Sequence, residues 1–163
     1  MSQAKRYITL AALTKRDQLD SAYHAAFYLL STDPELYEIA CRHVDVRGIG
    51  FAGIKRETRG FDERTRFVVD IAHNLFSYNS PCKATPFEIS RLGYPLMEQV
   101  CNALYIAADG YKVVIEQDQN QELRMTLDTS PYERTKLIQN RFEQMTAALM
   151  SQSEAVADDE MER

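Results

Sequence analysis

The residues of this chain that could do chemistry are three histidines, three cysteines and one run rich in glycine and arginine. The run reads Arg47-Gly48-Ile49-Gly50-Phe51-Ala52-Gly53-Ile54-Lys55-Arg56-Glu57-Thr58-Arg59-Gly60 and holds four of the six glycines. Glycine lets backbone amides turn toward a ligand with no Cβ in the way, and flanking cations complete an anion site. Arg47, Gly48, Gly50, Gly53, Lys55, Arg56 and Arg59 are therefore the candidate anion- or partner-binding residues, for phosphate, nucleic acid or an acidic protein surface. The plainer reading is a solvated connection between helices, its arginines paired with Glu57, Asp62 and Glu63.

Gly48, Gly50 and Gly53 spell part of the dinucleotide fingerprint. That fingerprint works only between a strand and a helix whose N-terminus meets the pyrophosphate. Here the preceding residues read as the end of a helix, and no acidic residue closes a second strand. A dinucleotide site is rejected, and no cofactor is expected.

His24 follows Asp20 by one turn and His73 follows Asp70 by three residues, spacings that could orient an imidazole as a general base. Such pairs are more often surface contacts between neighbouring turns. His43 lies on an apolar face and reads as a hydrogen-bonded core residue. No His pair has zinc-ligand spacing, and Cys41, Cys82 and Cys101 contain no CxxC, so no metal site is expected. The odd, scattered cysteines read as reduced thiols in the cytoplasm. No complete catalytic constellation appears, which makes a small histidine-centred enzyme the third choice of function.

The elements that must position these residues are marked by their caps. Asp33-Pro34, Thr85-Pro86-Phe87-Glu88 and Ser130-Pro131-Tyr132-Glu133 each place a capping residue before a proline at the first helical position, and the last two add the capping-box glutamate. Thr14 is a weaker start. Apolar spacing then predicts helices over 15–30, 34–44, 62–76, 86–92 and 95–108, with a last one from Pro131. Within 95–108, Leu96, Val100, Ala103, Leu104 and Ala107 form the expected inner face. The β-branched run 111–116 and the alternating Leu123, Met125 and Leu127 flank a polar tip and predict a β-hairpin. The fold class is thus mainly α: a compact bundle of five or six helices with one small β-hairpin near 111–127.

Pro86 to Ala108 has the outline of a helix-turn-helix. Its second helix offers Glu98, Gln99 and Asn102 and no cation, so DNA reading is not expected from it. The final helix carries Ile138, Phe142, Met145 and Leu149 on one stripe. That stripe fits a partner-binding or dimer seam, and equally packing on the domain's own core.

A chain of 163 residues with a net charge of −5 suffices for one domain. The domain is assigned to 1–151 and a disordered acidic tail to 152–163, where five acids from Glu154 on face Arg163 alone. Without them the chain carries only about −1. No apolar run could span a bilayer, and the one at Tyr7–Leu13 is too short, and wrongly flanked, for a signal peptide. The expectation is a cytoplasmic protein without membrane contact.

Phe27-Tyr28-Leu29-Leu30-Ser31, Leu36-Tyr37, Asn74-Leu75-Phe76, Thr85-Pro86-Phe87-Glu88-Ile89 and Asn102-Ala103-Leu104 resemble an uncharacterised bacterial family of short, mainly helical proteins, over about 26–106. The resemblance implies a cytoplasmic helical fold and carries no activity, cofactor or catalytic residue. The expected function is a non-enzymatic interaction, accessory or inhibitor protein, of the kind mobile elements encode, with another protein or a second copy as partner. The alternative is phosphate or nucleic-acid binding by the run 47–60.

Overall fold

A computed structural model describes the backbone from Met1 to Met161 and the side chains as far as Met150. The fold is mainly helical, with two small antiparallel hairpins. Its centre is α2 (Ser21–Leu30), capped by the Asp20 carboxylate, which accepts from the Tyr23 amide at 3.0 Å. Every residue from Ala25 to Leu30 is buried. A helix apolar on all sides must be surrounded. Around it pack α1 (Gln3–Leu13), α3 (Pro34–His43), α5 (Glu63–Phe76) and α7 (Leu96–Ala107).

The first two proline-marked starts form as their chemistry requires. Asp33 accepts from the Leu36 amide at 2.9 Å to open α3. Thr85 and Glu88 make a reciprocal capping box on α6 (Pro86–Ser90). The C-terminal helix α8 spans Ser130–Met161, so Ser130 is its first residue and not its cap: the Ser130 amide donates to Asp128 at 2.9 Å, and the Glu133 amide donates to the Thr129 carbonyl in place of the expected capping box. The tail expected at 152–163 falls on residues whose side chains, and at the end whose backbone, lie outside the described residues.

Eight α-helices replace the five or six expected among the described residues, and the reasons are local. Thr14 closes α1 instead of opening a helix, and Lys15 follows it with φ 52°. Export chemistry hid the alternative meaning of the apolar N-terminal run: Ala4, Tyr7 and Leu10 are three residues apart, and all three are buried. Glycines hid a second helix. Phe51 and Ile54 are buried one turn apart on α4 (Phe51–Glu57), which runs through Gly53 into a 3-10 turn at Thr58–Gly60. Between α3 and α4, β1 (Val44–Asp45) and β2 (Gly48–Ile49) pair antiparallel, a hairpin the sequence reading did not contain.

The expected hairpin is β3 (Lys112–Gln117) with β4 (Leu123–Asp128), Lys112 opposite Asp128 and Gln117 opposite Leu123. In α7 the burial differs from expectation at two positions. Ile106 is buried and Leu104 is 45% exposed, because the core contacts follow Val100, Ala103 and Ile106 at three-residue steps.

Candidate functional site

The glycine–arginine run is a hairpin and a helix, and its glycines have packing roles. Gly48 holds φ 137°, a conformation side chains rarely adopt, at the start of β2. A Cβ there would also meet the Tyr23 hydroxyl at 3.0 Å. The Gly50 amide donates to the His43 carbonyl at 2.7 Å. Gly53 leaves room for the His43 ring, which lies over α4. None of these three arrangements presents a free row of amides.

The cations of the run separate into three places. Arg47, at the hairpin turn, donates to Asp45 at 3.0 and 3.2 Å, a pairing that holds the Asp45 carboxyl below its usual range. Arg56 is exposed, with no ion-pair partner among the described residues. Lys55 and Arg59 face a groove of about 430 Å³ between α4, α5 and the segment that precedes α6. The groove also receives Arg66 from α5 and Lys83 from that segment. Its floor is Phe67, Val69 and Pro81. Lys55 binds Asp70 at 2.7 Å, whereas Arg59, Arg66 and Lys83 have no carboxylate partner among the described residues. Glu63 is the other acid on its lining.

The structure thus brings together two of the expected cations, Lys55 and Arg59, and joins them to Arg66 and Lys83. Arg66 was visible in the sequence as the second arginine after Arg59, one turn into a well-capped helix. Lys83 lies in a stretch without periodicity, so no sequence signal placed it beside α5.

Each histidine is held by its own chain. The Tyr7 hydroxyl donates to His24 Nδ1, tying α1 to α2. Burial lowers the His24 pKa, opposed by the Leu19 carbonyl and by Asp20 and Asp109. His24 borders a cavity of about 390 Å³ with Asp20, Asp109 and Lys112, but Asp20 is engaged as the helix cap. His43 Nε2 donates to Glu57 at 2.6 Å, and Arg42 reaches the other carboxylate oxygen at 2.5 Å. Those two contacts hold the Glu57 carboxyl below its usual range, Arg42 contributing most. His43 is therefore hydrogen-bonded as expected, at the edge of the core. His73 stacks on Phe51 with ring centroids 4.6 Å apart, and its neighbour Asp70 is occupied by Lys55. Neither expected Asp–His surface pair forms, because in both cases the carboxylate has a better-placed donor. The three imidazoles sit in three separate surroundings. Among the described residues no group of three His, Cys, Asp or Glu could hold a metal ion.

The second expected site is the stripe on α8. The base of this helix is fixed by Tyr132, whose ring meets Tyr105 edge-on at 5.1 Å and whose amide donates to the Gly110 carbonyl at 3.0 Å. Beyond it, every described residue of the helix is exposed. Ile138 and Phe142 are each 69% exposed, Met145 64% and Leu149 65%. Leu137, which precedes Ile138 on the helix, is exposed as well. Packing on the domain's own core, the other reading of this stripe, does not occur.

No helix among the described residues is long and apolar enough to cross a membrane. No protein-family model, curated protein or solved structure matches this chain, so its function has to be argued from the groove and the helical arm themselves.

Proposed function

We propose that this chain is a non-enzymatic protein-interaction factor whose docking element is α8. The observation that carries the reading is the exposure of four large apolar side chains on one stripe of a helix that leaves the folded body. Scattered apolar residues on a surface are ordinary, whereas a continuous stripe on a projecting helix is a surface awaiting cover. The stripe matches helix-in-groove and helix-on-helix recognition, where anchors at i, i+4, i+7 and i+11 carry the contact.

The test replaces Phe142 or Met145 by glutamate in the full chain. Association should be lost while helix content and thermal unfolding of the body stay unchanged, since neither residue touches the core. Association that survives both variants, measured by light scattering or by capture of the partner, would remove α8 as the docking element.

A second reading is favoured by the groove. Arg59, Arg66 and Lys83 converge without carboxylate partners over an apolar floor, an arrangement suited to a phosphate or a stretch of nucleic acid. The two readings concern separate faces and can be tested independently.

A further inference from the structure

The groove beside α4 continues past its own floor. Glu63 and Phe67 of α5 also line a second groove of about 230 Å³, which adds Arg64 from α5 and Arg91 from the end of α6. Arg91 in turn lies over the Phe87 ring, with its guanidinium carbon 5.5 Å from the ring centre, and Phe87 is 67% exposed. Resting on the reading of the first groove as an anion site, we infer that its ligand is a single-stranded nucleic acid. The cations of both grooves hold the phosphates of that strand, and Phe67 and Phe87 stack on its bases.

Charge selects a polyanion. Lys55 and Asp70 satisfy each other at 2.7 Å, and Glu88 accepts from the Thr85 amide at 2.7 Å as half of the capping box. Arg59, Arg64, Arg66, Lys83 and Arg91 then face Glu63, and none of the five has a carboxylate partner among the described residues. On a chain of net charge −5 this is a local reversal of sign. Like charges gathered in a cleft repel one another until an anion lies among them. These five come from four separate segments and follow two joined grooves, so a chain of phosphates answers them better than one phosphate does. The Gly50 and Gly53 amides are spent on the His43 and Gly50 carbonyls, which leaves them no part in a compact phosphate nest.

The apolar surface between the cations selects a single strand. Phe67 lines both grooves, whereas Arg66 lines only the first and Arg64 only the second. An aromatic side chain thus stands between two cations, the order in which a base stands between its flanking phosphates. Aromatic platforms in a cationic groove hold single strands without regard to sequence, because every base has a π-face. A duplex keeps its bases stacked on one another and would leave Phe67, Val69 and Phe87 uncovered. An acidic peptide would meet the cations and likewise leave the rings without a planar partner.

Binding of this kind is moderate, with a dissociation constant of about 1–100 µM at physiological salt. Neutralising three or four phosphates of a single strand gives a log–log salt slope of about −2 to −3.

The test measures fluorescence anisotropy of labelled strands of about 12 nucleotides with the full-length chain. Oligothymidylate and oligouridylate should both bind, and the tighter of the two names DNA or RNA as the source. An abasic strand with the same phosphates should bind about 10-fold or more weakly. Phe87 is exposed, so Phe87→Ala should leave the thermal midpoint unchanged while weakening binding by about 5- to 100-fold, and Phe87→Trp should restore it. Arg91→Glu should weaken binding and reduce the salt slope by about one. Equal binding of the abasic strand, or of a duplex, overturns the stacked single strand and leaves the groove as a plain anion site. Inorganic phosphate that binds by calorimetry where no strand does has the same meaning. A glutamate-rich peptide that binds more tightly than either strand overturns nucleic acid in favour of an acidic protein. If neither phosphate, peptide nor any strand binds at low salt, the anion site and the strand fall together.

Discussion

The imidazole of His43 occupies the space that a side chain at Gly53 would need: a Cβ built there would lie 2.3 Å from both Nδ1 and Cε1 of the ring. The ring is held in place from its other end by Glu57, through Nε2. Glycine at this point in α4 is thus a packing requirement. Gly53→Ala brings two opposed effects, a gain of about 1 kcal/mol in helix propensity and the displacement of His43 from Glu57. The displacement should win, lowering stability by about 1–2 kcal/mol. In a His43→Ala background the same change should become neutral or stabilising. A double-mutant cycle by urea unfolding measures the coupling, and additivity of the two changes would refute the packing role.

Tyr7 and His24 form the other histidine contact with a predictable consequence. Burial pushes the Tyr7 pKa well above its ordinary value, so its hydroxyl stays protonated and donates to Nδ1. The neutral imidazole then carries its own proton on Nε2. Tyr7→Phe leaves a half-buried Nδ1 without its donor and should cost about 1–2 kcal/mol.

Acid should destabilise the fold before any carboxylate is titrated. Burial lowers the pKa values of His24 and His73 below the ordinary histidine value, Lys55 adding to the effect at His73. A histidine of lowered pKa binds fewer protons folded than unfolded, so its stabilising contribution is complete above about pH 6.5 and declines as pH falls below it. Carboxylates such as Glu57, Asp62 and Glu88, whose pKa values lie below their ordinary ones, act in a separate and more acidic window. Urea midpoints should fall between pH 7.5 and 5.5, and His24→Gln should flatten that slope. A slope identical to wild type would show that His24 is not a contributor.

Arg6 is a buried cation with no carboxylate partner among the described residues. Its Nε donates to the Ser31 carbonyl at 2.7 Å and its Nη2 to the Thr32 carbonyl at 2.9 Å, just past the C-terminal end of α2. The negative end of the helix dipole lies there, and the fork of the guanidinium fits two successive carbonyls. Arg6→Met keeps much of the apolar stem and removes the donors. It should cost about 3 kcal/mol, and Arg6→Lys should recover only part of that. Thermal denaturation of the three chains checks both statements.

Charge reversal in the groove should separate binding from folding. Arg59 and Arg66 are exposed, so Arg59→Glu and Arg66→Glu should leave stability within about 0.5 kcal/mol. If the groove holds phosphate or nucleic acid, both variants should abolish that binding, and wild-type affinity should fall steeply with added salt. Titration with inorganic phosphate and with a short single-stranded oligonucleotide tests this. Unchanged binding in both variants would exclude the groove.

Legibility in this sequence followed locality. Asp33-Pro34 and Thr85-Pro86 each marked a helix start, because a cap and its amide lie within four residues of each other. The β3–β4 hairpin was legible for the same reason, since its alternation and its polar tip are contiguous. Thr14 misled because one hydroxyl serves equally to open a helix or to close one. Glycines at 48, 50 and 53 misled because glycine signals permissiveness toward a ligand and toward a neighbouring side chain alike.

From its sequence alone this chain was bound to be a mainly helical domain with capped helices, a C-terminal hairpin and an apolar stripe at 138–149, because propensity, capping and periodicity act over a few residues. Tertiary structure decided that the stripe faces outward, that Gly53 makes room for His43, and that Lys55 and Arg59 share a groove with Arg66 and Lys83. Those facts depend on which surfaces meet after the helices pack, and no spacing along the chain records that choice.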